Sequence, residues 1–383
     1  MKILFLNYEY PPLGGGAANA TAYLLDEFSR MPDVSVELVT SSIDAEYRRE
    51  SIGENIVIHR LPIGKNAKNL HFQSLKDLII YSFKAYFFAR KLMKREKYDM
   101  AQAFFTVPSG AVAWKLRREF GIPYIVSLRG SDVPGYSDRF GFLYPFLRPV
   151  ARAIWRHATA VVSSSQGLKE LALRTSPRQG IGIVPNGVDV KHFVPASEKR
   201  VQSARTLRLT LGASRVTDRK GIQYLIEAID SLKSEYVFLL TVIGEGNAKA
   251  HLERMVRDLG LESRINFVGR IPREETLPYY QEADVFVLPS LNEGMSNAML
   301  EALACGLPII TTRTGGAEEL VREGENGFIV KHGDAQDLAR ALRIVAKDAI
   351  LRESMGNASR SMAESMSWES VAKQYIELYK NHV

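Results

Sequence analysis

Short apolar runs recur along this chain, and the stretches between them return to apolar residues every three or four positions. The first half carries KILFLN, VSVELVT, NIVIHRL, MAQAFF, PYIVSL, TAVVSSS and GIGIVP. The second half carries LRLTLGAS, YVFLLTVIG, INFVG, DVFVLPS, LPIITT and GFIV. Runs of this length, rich in β-branched and aromatic residues, predict strands. The intervening stretches predict amphipathic helices, among them Ala17–Ser29, Gln223–Lys233 and Ala248–Leu259. Strands alternating with helices predict parallel sheets covered by helices on both faces, since a parallel crossover needs a connection of that size. Two such sets predict an α/β chain of two Rossmann-like, doubly wound domains in tandem.

The polar stretch from Pro195 to Arg205 has no hydrophobic period and marks the expected boundary, giving domains 1–195 and 196–366. The last segment, WESVAKQYIELYKNHV, predicts a helix with Trp368, Val371, Tyr375, Leu378 and Tyr379 on one face. Neither an internal repeat nor a low-complexity tract interrupts the pattern. A chain of 383 residues exceeds what one core usually serves, in keeping with two domains.

Composition narrows the chemistry. Cys305 is the one cysteine, which excludes an intrachain disulfide and a cysteine-based metal site and fits a reducing, cytoplasmic setting. The opening MKILFLNYEY lacks the longer apolar region and cleavage site of a signal peptide. No run reaches the roughly 18 uninterrupted apolar residues of a membrane span. Charge is uneven: residues 51–180 hold 21 Lys and Arg against 8 Asp and Glu, whereas residues 181–383 hold 25 against 27. The basic excess lies in the N-terminal half, where it can meet an anionic partner.

The most informative stretch is Pro289 to Arg313. A strand runs into a turn carrying Glu293 and Gly294, a helix carries Glu301 and stops at Cys305-Gly306, and another strand follows. Backbone N–H groups after Glu293, through Gly294, Met295 and Ser296, would leave a helix N-terminus, which favours an anion such as a diphosphate. Two carboxylates beside it can accept hydrogen bonds from sugar hydroxyls, so a sugar nucleotide is the expected ligand. Two glutamates eight apart also occur by chance on surface helices, and their weight comes from company elsewhere.

Arg215 and Lys220 leave the end of the first strand of the second half as a basic pair that can neutralise a diphosphate without a metal. Gly244 lies in a strand-to-helix turn, and Arg270 and Ile271 follow INFVG, where backbone groups can meet a base. In the first half, Gly14, Gly15 and Gly16 precede a helix and allow close backbone approach; the dinucleotide pattern GxGxxG is absent. Arg129 and Asp132 follow PYIVSL at a strand's C-terminal edge, where α/β folds bind ligands, although Asp132 can equally cap a turn. Asn186 follows GIGIVP in a turn. No Asp-x-Asp pair and no His/Asp cluster with metal-ligand spacing occurs, which disfavours metal-dependent transfer; no cofactor is expected.

Taken in order, PPLGGG, RGSD, NGVD, SRVTDRKG, GEG, FVGRIP, EGMSNAMLEALACGLPIITT, GGAEEL, ENGFIV and SWESVAKQY resemble the family 4 retaining glycosyltransferases with the GT-B fold. The resemblance implies two Rossmann-like domains facing across a cleft, with the final helix, 367–383, crossing back to an acceptor-binding N-terminal domain. It implies that the C-terminal domain takes a nucleotide-diphosphate sugar, a UDP-sugar ahead of GDP-mannose on family frequency. Residue by residue, Arg215 and Lys220 match the diphosphate-binding pair. Glu293 and Glu301 match the two acids of the E-x7-E motif, the first near the donor sugar and the second on the ribose hydroxyls. Gly14 to Gly16 match the loop that closes over diphosphate and acceptor.

Many members carry His where this chain has Arg129. Arg stays charged and cannot accept a hydrogen bond, so an anionic group is its expected partner. The acceptor is a glycan, a lipid-linked glycan or a small molecule. Two basic aromatic segments, Lys76 to Lys97 and Arg139 to His157, are candidates for peripheral contact with the inner face of a membrane, or else core helices with solvated basic faces. Three other readings remain open: a sugar-nucleotide epimerase or phosphorylase on the same fold, a non-catalytic nucleotide-sugar-binding protein, and a nucleic-acid binder, for which no recognised module is present.

Overall fold

The structure is a computed structural model that describes residues 1–65, 70, 73–136, 141, 143–197 and 206–382, the side chains of residues 213 and 214 excepted. The chain divides into two units, Met1–Gly187 with Trp368–Val383, and Val188–Ser367.

The first unit is built on β1 (Lys2–Leu6), α1 (Gly16–Ser29), β2 (Ser35–Ser42), β3 (Arg48–Ile52), β4 (Ile56–Pro62), α2 (Leu75–Met93), β5 (Met100–Phe104), α3 (Ala111–Phe120), β6 (Tyr124–Leu128), α4 (Tyr144–His157), β7 (Ala160–Ser163), α5 (Gln166–Thr175) and β8 (Gly182–Ile183). Its sheet has the order β3-β4-β2-β1-β5-β6-β7-β8, parallel except for the β3–β4 pair. β3 was not legible in the hydrophobic pattern. Its sequence, RRESI, is almost wholly exposed on an edge, and a polar edge strand has no apolar face to announce it.

The second unit contains β9 (Thr206–Arg215), α6 (Ile222–Ser231), β10 (Val237–Glu245), α7 (Lys249–Asp258), β11 (Ile265–Gly269), α8 (Leu277–Gln281), β12 (Val285–Leu288), α9 (Asn297–Ala304), β13 (Ile309–Thr312), α10 (Ala317–Leu320), β14 (Gly327–Val330), α11 (Ala335–Lys347) and α12 (Ala349–Ser365). Its all-parallel sheet runs β11-β10-β9-β12-β13-β14. The chain winds outward from β9 in one direction and from β12 in the other, the doubly wound order that leaves a switch point between those two strands. All thirteen predicted strands are present, and each unit has its own hydrophobic core.

The final helix, α13 (Trp368–Lys380), belongs to the first unit. Trp368, Val371, Ala372, Tyr375 and Tyr379 are buried in that unit's core. The Trp368 ring stacks on Tyr23 of α1 at 5.2 Å. Polar tips fix the docking: the Tyr375 hydroxyl lies 3.0 Å from Ser127 Oγ, and the Tyr379 hydroxyl donates to Gln102 Oε1 at 3.2 Å.

The boundary falls earlier than the expected 195/196. Residues 188–195 pack with the second unit because Val188 N–H donates to the Met366 carbonyl and Phe193 is buried in the second core. The Arg360 guanidinium also donates to the carbonyls of Val190, Phe193 and Ala304. A stretch held through two of its carbonyls, a backbone N–H and a buried ring is part of a domain even where its composition is polar. Residues 198–205 of the expected linker lie outside the described residues, as do residues 139, 140 and 142 of the second basic segment.

On β2 of the first sheet, Glu37 is mostly buried and accepts from His59 Nε2 and Lys2 Nζ, both at 2.8 Å. Burial alone would raise its pKa, but the hydrogen bonds from His59 and Lys2 outweigh burial and hold it at about 2, against an ordinary 4.5. A depressed carboxylate pKa gives stability that is complete above the unfolded value and lost as pH falls toward the folded value. Stability to urea should therefore drop between pH 4.5 and about 2, and Glu37→Gln should flatten that drop. An unchanged pH slope in the variant would place the acid sensitivity elsewhere.

Candidate active site

The second unit gathers the candidate residues at its switch point. β9 ends at Arg215, and a tight turn through Asp218–Lys220 leads into α6. Gly221 makes this turn possible: it has φ +63°, and a Cβ there would lie 2.1 Å from the Pro289 carbonyl oxygen. The loop after β9 thus lies directly against the loop after β12, and Leu291 N–H donates to the Arg219 carbonyl at 2.7 Å. The Lys220 ammonium pairs with Glu293 Oε1, which also accepts from Ser290 Oγ at 3.1 Å. Both partners are largely buried, with side-chain exposures of 15% and 17%. Arg215 is exposed and makes no ion pair with a described residue.

Downstream of Glu293, Gly294 and Met295 run against a third loop. Gly316 has φ +80°, and a Cβ on it would come within 2.8 Å of the Gly294 carbonyl oxygen. Ser296 then caps α9, its Oγ accepting from Met299 N–H. The early N–H groups of α9 therefore emerge beside the Lys220–Glu293 pair, an arrangement suited to an anion.

Glu301 sits about one turn along α9 and is buried, at 6% exposure. Its Oε1 accepts from Arg273 Nε at 2.6 Å and its Oε2 from the Tyr280 hydroxyl at 2.7 Å. Burial, and then the charge of Glu301, push the Tyr280 hydroxyl well above its ordinary pKa, so it remains a donor. Arg273 and Tyr280 were not singled out from sequence. They stand 28 and 21 residues before Glu301, and nothing local to either marks the pairing.

Arg270 and Ile271 leave the end of β11 and lead into the turn that carries Arg273. Gly244 lies near the end of β10 with φ 141°, and the turn after it packs on the loop after β9, where a Cβ on Gly246 would meet the Val216 carbonyl oxygen at 2.0 Å. Arg215, Lys220, Glu293, Gly294, Met295, Ser296 and Gly244 are thus carried on neighbouring loops at the C-terminal ends of the central strands. Glu301 and the Arg270–Ile271 segment are joined to one another through Arg273.

In the first unit, Gly14 and Gly15 end the loop between β1 and α1 and Gly16 opens α1, again at a switch point, here between β1 and β5. Gly14 is buried and donates to the Leu70 carbonyl, while Gly15 and Gly16 are exposed. Asp132 has turn-capping geometry. Its Oδ2 accepts from Thr106 N–H and Oγ1, and its Oδ1 from the N–H groups of Arg129 and Gly130. Its carboxylate ties the loop after β6 to the loop after β5, and burial raises its pKa.

Arg129 reaches partners within the chain. Nη1 donates to Asn186 Oδ1 at 2.8 Å and Nη2 to the Tyr375 hydroxyl at 3.0 Å, with the guanidinium 4.9 Å above the Phe104 ring. Asn186 and Arg129 are therefore direct neighbours, and no described carboxylate neutralises the cation. Among the described residues, no group of three or more His, Cys, Asp or Glu side chains is placed to hold a metal ion.

Comparison with known proteins places this arrangement. Residues 195–362 match the family described as Glycosyl transferases group 1, and residues 15–187 match the Glycosyl transferase 4-like domain. The chain belongs to the family 4 glycosyltransferases with the GT-B fold, and is a glycosyltransferase. The lipopolysaccharide core biosynthesis glycosyltransferase LpsE of Rhizobium meliloti (strain 1021) is 28% identical over 252 residues, 65% of this chain and 73% of that protein. Among solved structures, sucrose-phosphate synthase from Thermosynechococcus elongatus superposes with a TM-score of 0.83 at 24% identity, covering 99% of this chain and 98% of that one. The HepE protein of Anabaena, solved with UDP, superposes with a TM-score of 0.74 at 19% identity over the whole of both chains.

Proposed function

We propose that this protein is a retaining glycosyltransferase that moves a hexose-type sugar from a nucleotide-diphosphate sugar to a glycan, lipid-linked or small-molecule acceptor, without a metal ion. A UDP-sugar is the first choice of donor and GDP-mannose the second. The observation that carries the reading is the Lys220–Glu293 pair at the switch point of the second sheet, with Arg215 exposed on the adjoining strand end. HepE, a structural neighbour, was solved with UDP, which supports the choice of base.

In this reading, Arg215, Lys220 and the first N–H groups of α9 meet the charge that grows on the departing diphosphate. Stabilisation of developing charge by preformed donors is the largest single contribution in many enzymes. The leaving phosphate accepts the acceptor's proton, so no enzymatic nucleophile is required. Glu293 orients Lys220 and meets the donor sugar, while Glu301 accepts from the ribose hydroxyls. Gly14 to Gly16 and Arg129 serve the acceptor side, with Arg129 answering an anionic group. The setting is cytoplasmic, with peripheral contact at the inner face of the membrane.

Thermal unfolding in the presence of UDP, GDP, ADP and their common sugar conjugates, with a chelator present throughout, tests the donor site. A ligand at 100 times its dissociation constant should stabilise the protein by about 2.7 kcal/mol. A shift confined to uracil nucleotides is expected. Stabilisation that appears only when a divalent cation is restored would overturn metal independence, and no shift with any nucleotide would overturn the donor assignment.

A further inference from the structure

Large apolar side chains exposed to solvent are unevenly distributed among the described residues. Six of the eleven, Leu75, Ile79, Phe83, Phe87, Phe146 and Val150, lie on just two helices, α2 and α4. Three aromatic rings are the most open of the six: Phe146 is 74% exposed, Phe83 64% and Phe87 62%. On α2 the four apolar residues recur every fourth position, so they form one stripe that drifts slowly round the helix. Tyr81, Ala85 and Ala89, on the opposite side, are fully buried against the sheet. α4 repeats the plan, burying Ala151, Ile154 and Trp155 while Phe146 and Val150 face solvent. α3 packs against both helices, so the two apolar faces belong to one layer of the first unit.

Charge along this segment is predominantly positive. Residues 75–157 hold fifteen Lys and Arg against six Asp and Glu. Lys76, Lys91, Lys94, Arg148 and Arg156 are exposed and make no ion pair with a described residue. The nearby acids are already committed: Asp77 closes the N-terminal capping box of α2 with Ser74, and Glu119 is held by Arg90 and the Tyr86 hydroxyl. A surface of protruding rings edged by unpaired cations matches a partner with an apolar interior beneath an anionic skin. A bilayer containing anionic lipid has that profile. No described helix is long and apolar enough to cross a membrane, so contact would be lateral.

We propose that the layer of α2, α3 and α4 lies on an anionic bilayer, with Phe83, Phe87 and Phe146 at the acyl boundary and Lys76, Lys91, Lys94, Arg148 and Arg156 on the headgroup phosphates. The proposal gives the peripheral contact named above a surface and a lipid charge. It does not depend on glycosyl transfer, because binding is read without donor or acceptor.

Flotation of the full chain with phosphatidylcholine vesicles, and with vesicles in which phosphatidylglycerol replaces part of the phosphatidylcholine, tests it. Partitioning should be on the order of tenfold or more stronger with phosphatidylglycerol, and should weaken as salt is raised. The double substitution Phe83→Asp, Phe87→Asp should release the protein from anionic vesicles with its thermal unfolding unchanged, since both rings are already in water. Lys91→Glu, Lys94→Glu should weaken binding through charge alone and remains informative if the Phe variant fails to fold. Equal binding to both vesicle types, binding to neither, or full binding by the Phe variant would overturn the proposal. Concentration-dependent dimerisation without lipid, abolished by the Phe substitutions in a protein that ignores vesicles, would reassign the surface to a second copy of the chain.

Discussion

Arg215→Ala should lower kcat about 100-fold or more while leaving thermal unfolding unchanged. One preformed donor on developing charge is typically worth about 2.7–4 kcal/mol in the barrier, which sets that scale. Stability should be untouched because the Arg215 side chain is exposed and pairs with no described residue, so nothing in the folded unit is lost with it. Lys220→Ala differs in an instructive way. Its catalytic penalty should be of the same order, but it also removes the ion-pair partner of Glu293, a carboxylate then left largely buried with only the Ser290 hydroxyl. The Lys220 variant should therefore unfold at lower temperature as well. Steady-state kinetics at saturating donor, paired with thermal unfolding, separate the two. A near-normal rate for Arg215→Ala would remove it from the diphosphate site, and unchanged stability for Lys220→Ala would mean the pair contributes nothing to the fold.

The other large effect is expected at Glu301. Alanine there strands the hydroxyl of Tyr280, a residue only 1% exposed, and removes one carboxylate contact of the Arg273 guanidinium. Breaking such a pair by removing one partner should cost about 3 kcal/mol of stability. Glu301→Gln is the better functional probe, since it keeps the shape and removes the charge. If the carboxylate accepts from the ribose hydroxyls, this variant should raise the donor KM about tenfold or more. The parent's preference for a ribosyl over a 2′-deoxyribosyl donor should shrink with it. A loss of stability with the sugar preference intact would make Glu301 a structural residue that holds Arg273 and Tyr280 in place.

Much of the fold could be read before any coordinates because buried parallel strands write themselves as apolar runs. KILFLN and DVFVLPS differ from their flanks in a way that needs no tertiary context. β3 escaped for the converse reason: RRESI pairs by backbone alone on a solvated edge. The boundary was placed late because polarity was taken for a linker, whereas Phe193 and Arg360 bind that stretch to the second unit. For the candidate site, Lys220 and Glu293 could each be placed at a strand's C-terminal end, but the ion pair between them appears only in the structure. The partners of Glu301 could not, since they arrive from the turn and short helix after β11. Arg129 marks a further limit. Its type could be weighed, but its contact with Tyr375 joins residues 246 positions apart, and only the return of α13 creates it.

That return bears on the order in which the protein can be made. The chain leaves the first unit at Gly187 and re-enters at Trp368, and the two residues touch so closely that a Cβ on Gly187 would come within 2.7 Å of the indole ring. Residues 188–367 hold every strand of their own sheet and their whole core in one continuous stretch. The first unit, though begun earlier, must wait. The places of Trp368, Tyr375 and Tyr379 stay open, and Gln102 and Ser127 lack their tyrosine hydroxyl partners, until the last helix is released. The domain begun first is thus the one completed last, and a released chain cut before Trp368 would carry a whole second unit and an unsealed first.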